Sequence, residues 1–116
     1  MTDLLRTGFH DATLRDLRCD GLDICIDVED IVCADEQFAA RVTLRGVQKT
    51  LRNGEEISDL KMEDEDGEIL RLEIRGNDAN LTVQWNNFQR KRHFVAFYQF
   101  AATAIEISSK KVGRAS

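Results

Sequence analysis

Residues 8–30 read GFHDATLRDLRCDGLDICIDVED. From Thr13 onward apolar and polar residues largely alternate, and an Asp20-Gly21 pair breaks the pattern once. Alternation with period two sends successive side chains to opposite faces of a strand. Asp-Gly is a favoured content of the two-residue type I′ turn, whose central residues both need positive φ. The stretch therefore predicts a β-hairpin. With Asp20-Gly21 as the turn, Cys19 pairs with Leu22, Leu17 with Ile24 and Arg15 with Ile26. Leu17, Cys19, Leu22, Ile24, Ile26 and Val28 then share one face, and Arg18 stands opposite Asp23 on the other.

The same arithmetic carries along the chain. QFAARVTLRGV, residues 37–47, reads as a third strand with Phe38, Ala40, Val42 and Leu44 toward the core and Arg41, Thr43 and Arg45 away from it. Asn53-Gly54 marks a turn or loop. In DLKMEDEDGEILRLEIRGNDANLTVQW, residues 59–85, a loop at Glu65-Asp66-Gly67 pairs Met62 with Leu70 and Leu60 with Leu72, with Gly67 in the left-handed position of a bulged turn. A loop from Gly76 to Ala79 pairs Ile74 with Leu81, Leu72 with Val83 and Leu70 with Trp85, which places Trp85 in the core. RKRHFVAFYQFAATAIEISSKK, residues 90–111, carries Phe94, Phe97, Ala101, Ala104 and Ile105 in a helix-like stripe. Its aromatic and β-branched content, with the alternation in TAIEIS, instead favours strands buried on both faces, either one long bent strand or two in succession. Met1 to Thr7 reads as a short helix or a loose end.

At 116 residues the chain has the length of one domain, spanning 1–116. Its 42% hydrophobic and 32% charged residues exclude a disordered chain. There is no proline, no low-complexity linker and no internal repeat to mark a boundary. The expected fold is all-β: an antiparallel sandwich of seven or eight strands, or a partly open barrel or roll, built from hairpins and a meander. No apolar run approaches the ~20 residues that span a bilayer, and MTDLLRTGF lacks the basic-then-apolar pattern of a signal peptide, so a cytoplasmic location is expected. A net charge of −5 argues against nucleic acid or an anionic membrane as partner and favours a cationic protein.

Chemistry has few footholds. Cys19, Cys25 and Cys33 are odd in number and fit no zinc spacing, so they are expected to be reduced, with no metal and no cofactor. There is no P-loop, no dinucleotide fingerprint, no G-x-S-x-G and no H-E-x-x-H. His10-Asp11 is the one catalytic or metal-binding candidate, since a carboxylate-held imidazole is the minimal general base. Neighbours on a strand point to opposite faces, however, so GFHDA reads better as a turn with Phe9 anchored in the core.

Two charged segments stand out. EEISDLKMEDEDGE, residues 55–68, gathers eight carboxylates around Lys61 without the ligand spacing of an EF-hand loop. Glu63, Asp64, Glu65, Asp66 and Glu68 are its candidate partner-binding residues, because clustered charge speeds encounter and filters partners. QRKRH, residues 89–93, is a compact basic patch flanked by Phe88 and Phe94. Such a patch can hold single strands of nucleic acid, form a charged loop, or face the acidic segment of a second copy.

The stretches FHDATLRDLRCDGLDICIDVE, ARVTLRGVQKTL and FYQFAATAIEIS together resemble small uncharacterised bacterial β domains, some of them grouped with immunity proteins of polymorphic toxin systems. His10, Asp11 and Ala12 match the distinctive triplet of those domains. The resemblance implies a partner-binding protein, and an acidic surface suits neutralisation of a basic toxin.

The sequence therefore points to a non-enzymatic protein-binding module that meets a basic partner through its acidic loops. Two alternatives stand beside it. One is a small-molecule or metal-dependent domain or enzyme using His10 and Asp11; the other is a structural homo-oligomer subunit.

Overall fold

A computed structural model describes residues 11–33 and 36–114, with the backbone alone at Cys33, Gly113 and Arg114. The described residues form nine strands and no helix: β1 (Ala12–Asp20), β2 (Asp23–Cys33), β3 (Glu36–Arg45), β4 (Lys49–Arg52), β5 (Glu55–Glu56), β6 (Asp66–Arg75), β7 (Asp78–Asn87), β8 (Arg92–Ala101) and β9 (Ala104–Arg114). All belong to one open antiparallel sheet, in the order β5-β4-β8-β7-β6-β1-β2-β3-β9. Among the described residues no helix is long and apolar enough to cross a membrane. Met1 to Thr7 lies outside the described residues.

The sheet folds back on itself. In a flat sheet β3 and β4, six places apart in the order, would lie about 29 Å from one another, yet only residues 46–48 join Arg45 to Lys49, a reach of at most about 15 Å. The fold line runs through β1, which meets β6 only at Ala12, Thr13 and Leu14 but follows β2 along most of its length. Register breaks lie beside this line in all three strands: between Leu14 and Asp16, between Ile69 and Arg71, and between Val28 and Ile31. An extra residue in one strand bends it and increases its twist, which is what a corner requires. At the crossing Gly67 faces Trp85 across the β6–β7 ladder. A Cβ there would lie 3.1 Å from Trp85 Cζ3, 3.2 Å from Val83 Cγ1 and 3.3 Å from Leu14 Cβ. Gly67 is thus a packing requirement inside a strand, not the left-handed turn residue that the sequence suggests.

The core is the inner face of the folded sheet. Leu14 and Leu17, Ile24, Ile26 and Val28, Val42 and Leu44, Ile69 and Leu72, Leu81, Val83 and Trp85, and Ala96, Tyr98 and Phe100 are all buried. Trp85 Nε1–H donates to the Tyr98 hydroxyl oxygen at 3.0 Å, which satisfies a polar atom in a wholly buried site. At one end the links from β3 to β4 and from β8 to β9 cross between the layers side by side, tied by Thr103 N to Arg45 O at 2.8 Å and Gln48 N to Ala101 O at 2.7 Å.

Strand identities and faces follow the sequence closely; register does not. In the first hairpin Asp20 pairs with Asp23, Cys19 with Ile24 and Leu17 with Ile26. The turn is Gly21-Leu22, with positive φ (+66°) at Gly21 alone, the pattern of a type II′ turn. Leu22 leaves the predicted core face and is 77% exposed, and Arg18 lies opposite Cys25 instead of Asp23. The β6–β7 connection is likewise two residues, with Arg75 opposite Asp78 and Ile74 opposite Ala79. Residues 57–65 form no strand, so Leu60 and Met62 do not pair with Leu72 and Leu70; Leu60 is buried in the core instead. Asn53 and Gly54 both take positive φ and close the β4–β5 hairpin as their sequence predicts.

Candidate functional site

The two outer faces of the folded sheet differ in kind. Over β1, β2, β3 and β9 the charges answer one another. Arg18 donates to Asp16 and Asp27, and Arg41 donates to Asp27 at 2.6 Å. Arg45 bridges Asp23 and Glu106 at 2.9 Å each. The Asp27 carboxyl is held below the ordinary carboxylate range, chiefly by the Arg41 hydrogen bond and then by Arg18, against the opposing effect of burial. Asp23 is lowered by the Gly46 N–H and by Arg45. A depression of about 490 Å³ on this face is lined by Arg15, Asp27, Glu29, Arg41 and Lys110, and both of its carboxylates are ion-paired within the chain.

Over β7 and β8 the outer face is almost without charge. The two strands pair from Asn87 opposite Arg92 to Asp78 opposite Ala101. Inward residues of β7 are Ala79, Leu81, Val83 and Trp85, so the pleat turns Asn80, Thr82, Gln84 and Asn86 outward. In β8, Phe94, Ala96, Tyr98 and Phe100 face in, while His93, Val95, Phe97 and Gln99 face out. Val95 is 52% exposed and Phe97 38%. Of the two strand arrangements the sequence leaves open, one long bent strand or two in succession, the chain adopts the second, β8 and β9, but β8 is not buried on both faces, because no layer among the described residues covers this side.

Cross-strand rows fix what surrounds the two apolar residues. Val95 lies opposite Gln84, which lies opposite Glu68; Phe97 lies opposite Thr82, next to Arg71. Asn53, beyond β4, clasps the Phe97 backbone by accepting from its N–H at 2.8 Å and donating to its carbonyl at 2.7 Å. The ring is thereby set on a strand bonded along both edges.

The acidic segment divides into engaged and free carboxylates. Glu63 is gripped by Arg52 through both oxygens, at 3.0 and 2.9 Å. Asp64, with its side chain 4% exposed, accepts from Arg92 at 2.8 Å, Asn87 at 2.9 Å and the Glu65 N–H at 2.9 Å. Its pKa is lowered, first by Arg92 against the effect of burial, then by the Glu65 N–H and Asn87. Asp66 accepts from Asn86 at 3.1 Å. These bonds join residues 57–66 to β4, β7 and β8. Glu65 is exposed and Glu68 half-buried on the outer face of β6, beside the Val95 row.

The basic patch QRKRH forms the β7–β8 loop and the start of β8. Arg92 is taken by Asp64 and lies over the Phe94 ring, 5.8 Å from its centroid. The patch is answered in part by the acidic segment of the same chain. Phe88 stands exposed in the loop, with the Arg90 N–H donating to Asn87 at 3.0 Å.

His10 lies outside the described residues. Asp11 adopts a positive φ of 65° and its N–H donates to the Ile69 carbonyl at 2.9 Å, at the point where β1 enters the sheet. Cys19 is a free exposed thiol and Cys25 a free buried one. No three His, Cys, Asp or Glu side chains converge to hold a metal among the described residues. Sequence reasoning missed the outer face of β8, although its signal is present: HFVAFYQF is apolar at both parities, and one parity remains uncovered. The chain matches no protein-family model, no curated protein and no solved structure.

Proposed function

We propose that this chain is a non-enzymatic binding module acting in the cytoplasm, whose partner is a protein that seats an apolar anchor on Val95 and Phe97 and sets basic residues against Glu65 and Glu68. One observation carries the reading: the outer side of β8 presents Val95 and Phe97 with no layer over them among the described residues. Full burial of a side chain of this size from full exposure is worth about 1.5–3 kcal/mol, and the exposed half or less of each that remains here contributes in proportion, so the pair held on a rigid strand is a ready anchor. The flanking amides and Thr82 can bond at the rim without the cost of burying charge, and the two carboxylates steer a cationic partner. The sequence resemblance to small bacterial β domains, some of them grouped with immunity proteins, implies a basic toxin as that partner.

Photo-crosslinking in the native cell tests this. A p-benzoylphenylalanine placed at Phe97 should give one discrete adduct with a basic polypeptide. The adduct should be lost on Val95→Asp, weakened on Glu65→Lys with Glu68→Lys, and absent when the probe sits at Thr43 on the opposite outer face. Equal labelling at both faces, no adduct, or an adduct indifferent to Val95→Asp would refute the assignment.

A further inference from the structure

The β7–β8 loop, residues 88–91, carries an exposed aromatic ring and two cations. Phe88 is 72% exposed. The Arg90 and Lys91 side chains meet no acid among the described residues, unlike their neighbour Arg92, which Asp64 holds. The loop is nonetheless fixed at its root. Asn87, buried there, accepts from the Arg90 N–H and donates to Asp64, and Lys91 takes a positive φ of 51°. An apolar anchor on a fixed loop with cations beside it is the complement of Val95 and Phe97 with Glu65 and Glu68 beside them.

We infer that a second copy of this chain occupies the outer face of β8 before the partner arrives, each copy laying its β7–β8 loop on Val95 and Phe97 of the other. The inference rests on reading that face as a docking surface. Register supplies the geometry. Asn86 and His93 form one cross-strand pair, both turned outward. Phe88 lies two residues from Asn86 toward the loop, and Val95 two residues from His93 away from it. A two-fold axis laid across the strands through this pair, with the two outer faces opposed, reverses direction along the strands. It therefore carries Phe88 of each copy, about 7 Å from the axis, onto the Val95 row of the other. By parity Phe88 falls on the outward side with Gln84 and Asn86, and Lys91 with His93 and Val95. Lys91 thus arrives over the row of Val95, Gln84 and Glu68, where the Glu68 carboxylate answers its ammonium. Asp66 stands on the axis row and meets its own copy, like charge against like, which keeps the pairing weak enough for a partner to displace.

Sedimentation equilibrium of the purified chain should show a mass rising with concentration to twice that of one chain. Phe88→Ser, Lys91→Glu and Val95→Asp should each weaken association about tenfold or more. Lys110→Glu, the same change of charge on the opposite outer face, should not. Adding Glu68→Lys to Lys91→Glu exchanges the signs and should restore association, and Asp66→Asn should strengthen it severalfold. His93→Cys, in a background with Cys19 and Cys33 replaced by serine, should cross-link across the axis on mild oxidation while Lys110→Cys does not. A single-chain mass at every concentration, association indifferent to Phe88→Ser, no recovery in the exchange, or no His93→Cys cross-link would each overturn the proposal. The partner assignment is read separately, because with Phe88→Ser the Phe97 probe should still capture the basic polypeptide. Capture by a chain that stays single removes the self-pairing alone; self-pairing without capture of any foreign polypeptide removes the partner alone.

Discussion

Replacing Tyr98 with phenylalanine removes one oxygen atom from the centre of the core. That oxygen accepts the Trp85 indole N–H at 3.0 Å, and both side chains are fully buried. The orphaned donor then sits in the core without its partner, so the loss approaches the desolvation cost of an unpaired buried group, about 1–3 kcal/mol. The ring is kept, so little packing is lost with the hydroxyl. For a chain of this length the unfolding entropy near the midpoint is roughly 0.24 kcal/mol/K, so Tm should fall by about 4–12 °C. The chain has a single tryptophan, so its fluorescence reports the site itself during urea unfolding. The native emission should stay that of a buried indole and the m-value should not change, with the loss appearing entirely as a lower midpoint. In a double-mutant cycle read by circular dichroism, adding Tyr98→Phe to Trp85→Phe should cost much less than it does in the wild type. A loss under about 0.5 kcal/mol, within the range of ordinary surface substitutions, would show that the hydroxyl is not what satisfies the indole, and would refute the reasoning.

Three further perturbations probe other parts of the fold. Gly67→Ala brings a methyl to 3.1 Å from the Trp85 ring and 3.3 Å from Leu14 Cβ at the fold line, and should cost about 1–3 kcal/mol in denaturant unfolding. Asp64 is held below the ordinary carboxylate range, so its contribution is complete above the unfolded value of about 3.9 and is lost as pH falls through the lower folded one. The stability gap between wild type and Asp64→Asn should therefore be flat from neutral pH to about pH 4 and close below it; a gap that closes already near neutrality would contradict the Arg92 and Asn87 contacts as its cause. Leu22→Ser should change stability by less than about 0.5 kcal/mol in urea, because the side chain is exposed in the turn. A loss well above 1 kcal/mol there would favour the register with Asp20-Gly21 as the turn.

Side-chain parity made most of the fold legible. Ala40, Val42 and Leu44 face inward, Trp85 is in the core, Asn53-Gly54 turns the chain, and the last segment is strand and not helix, all as the residue pattern indicates. Both hairpin registers nevertheless slip from the pattern by two residues, at Gly21-Leu22 and at Gly76-Asn77. An even slip leaves every side chain that stays within a strand on its own face and displaces only turn residues such as Leu22, so alternation cannot detect it; only an odd slip turns the core outward. Leu60 and Met62 alternate like a strand, yet no neighbouring edge is offered to them. Their segment is held instead by Arg52, Asn86, Asn87 and Arg92, side chains from β4 to β8 that lie close only after folding.

The sequence by itself determined what each side chain is and which of its strand neighbours share its face, because both follow from covalent order and a period of two. Tertiary structure decided which faces have a layer across from them and which charges have a partner. β1 meets β6 and β9 meets β3 across long stretches of chain, and that topology leaves Val95 and Phe97 bare, engages Glu63 and Asp64, and puts β9 at an edge. Burial and pairing belong to neighbours across space, and local pattern does not encode who those neighbours are.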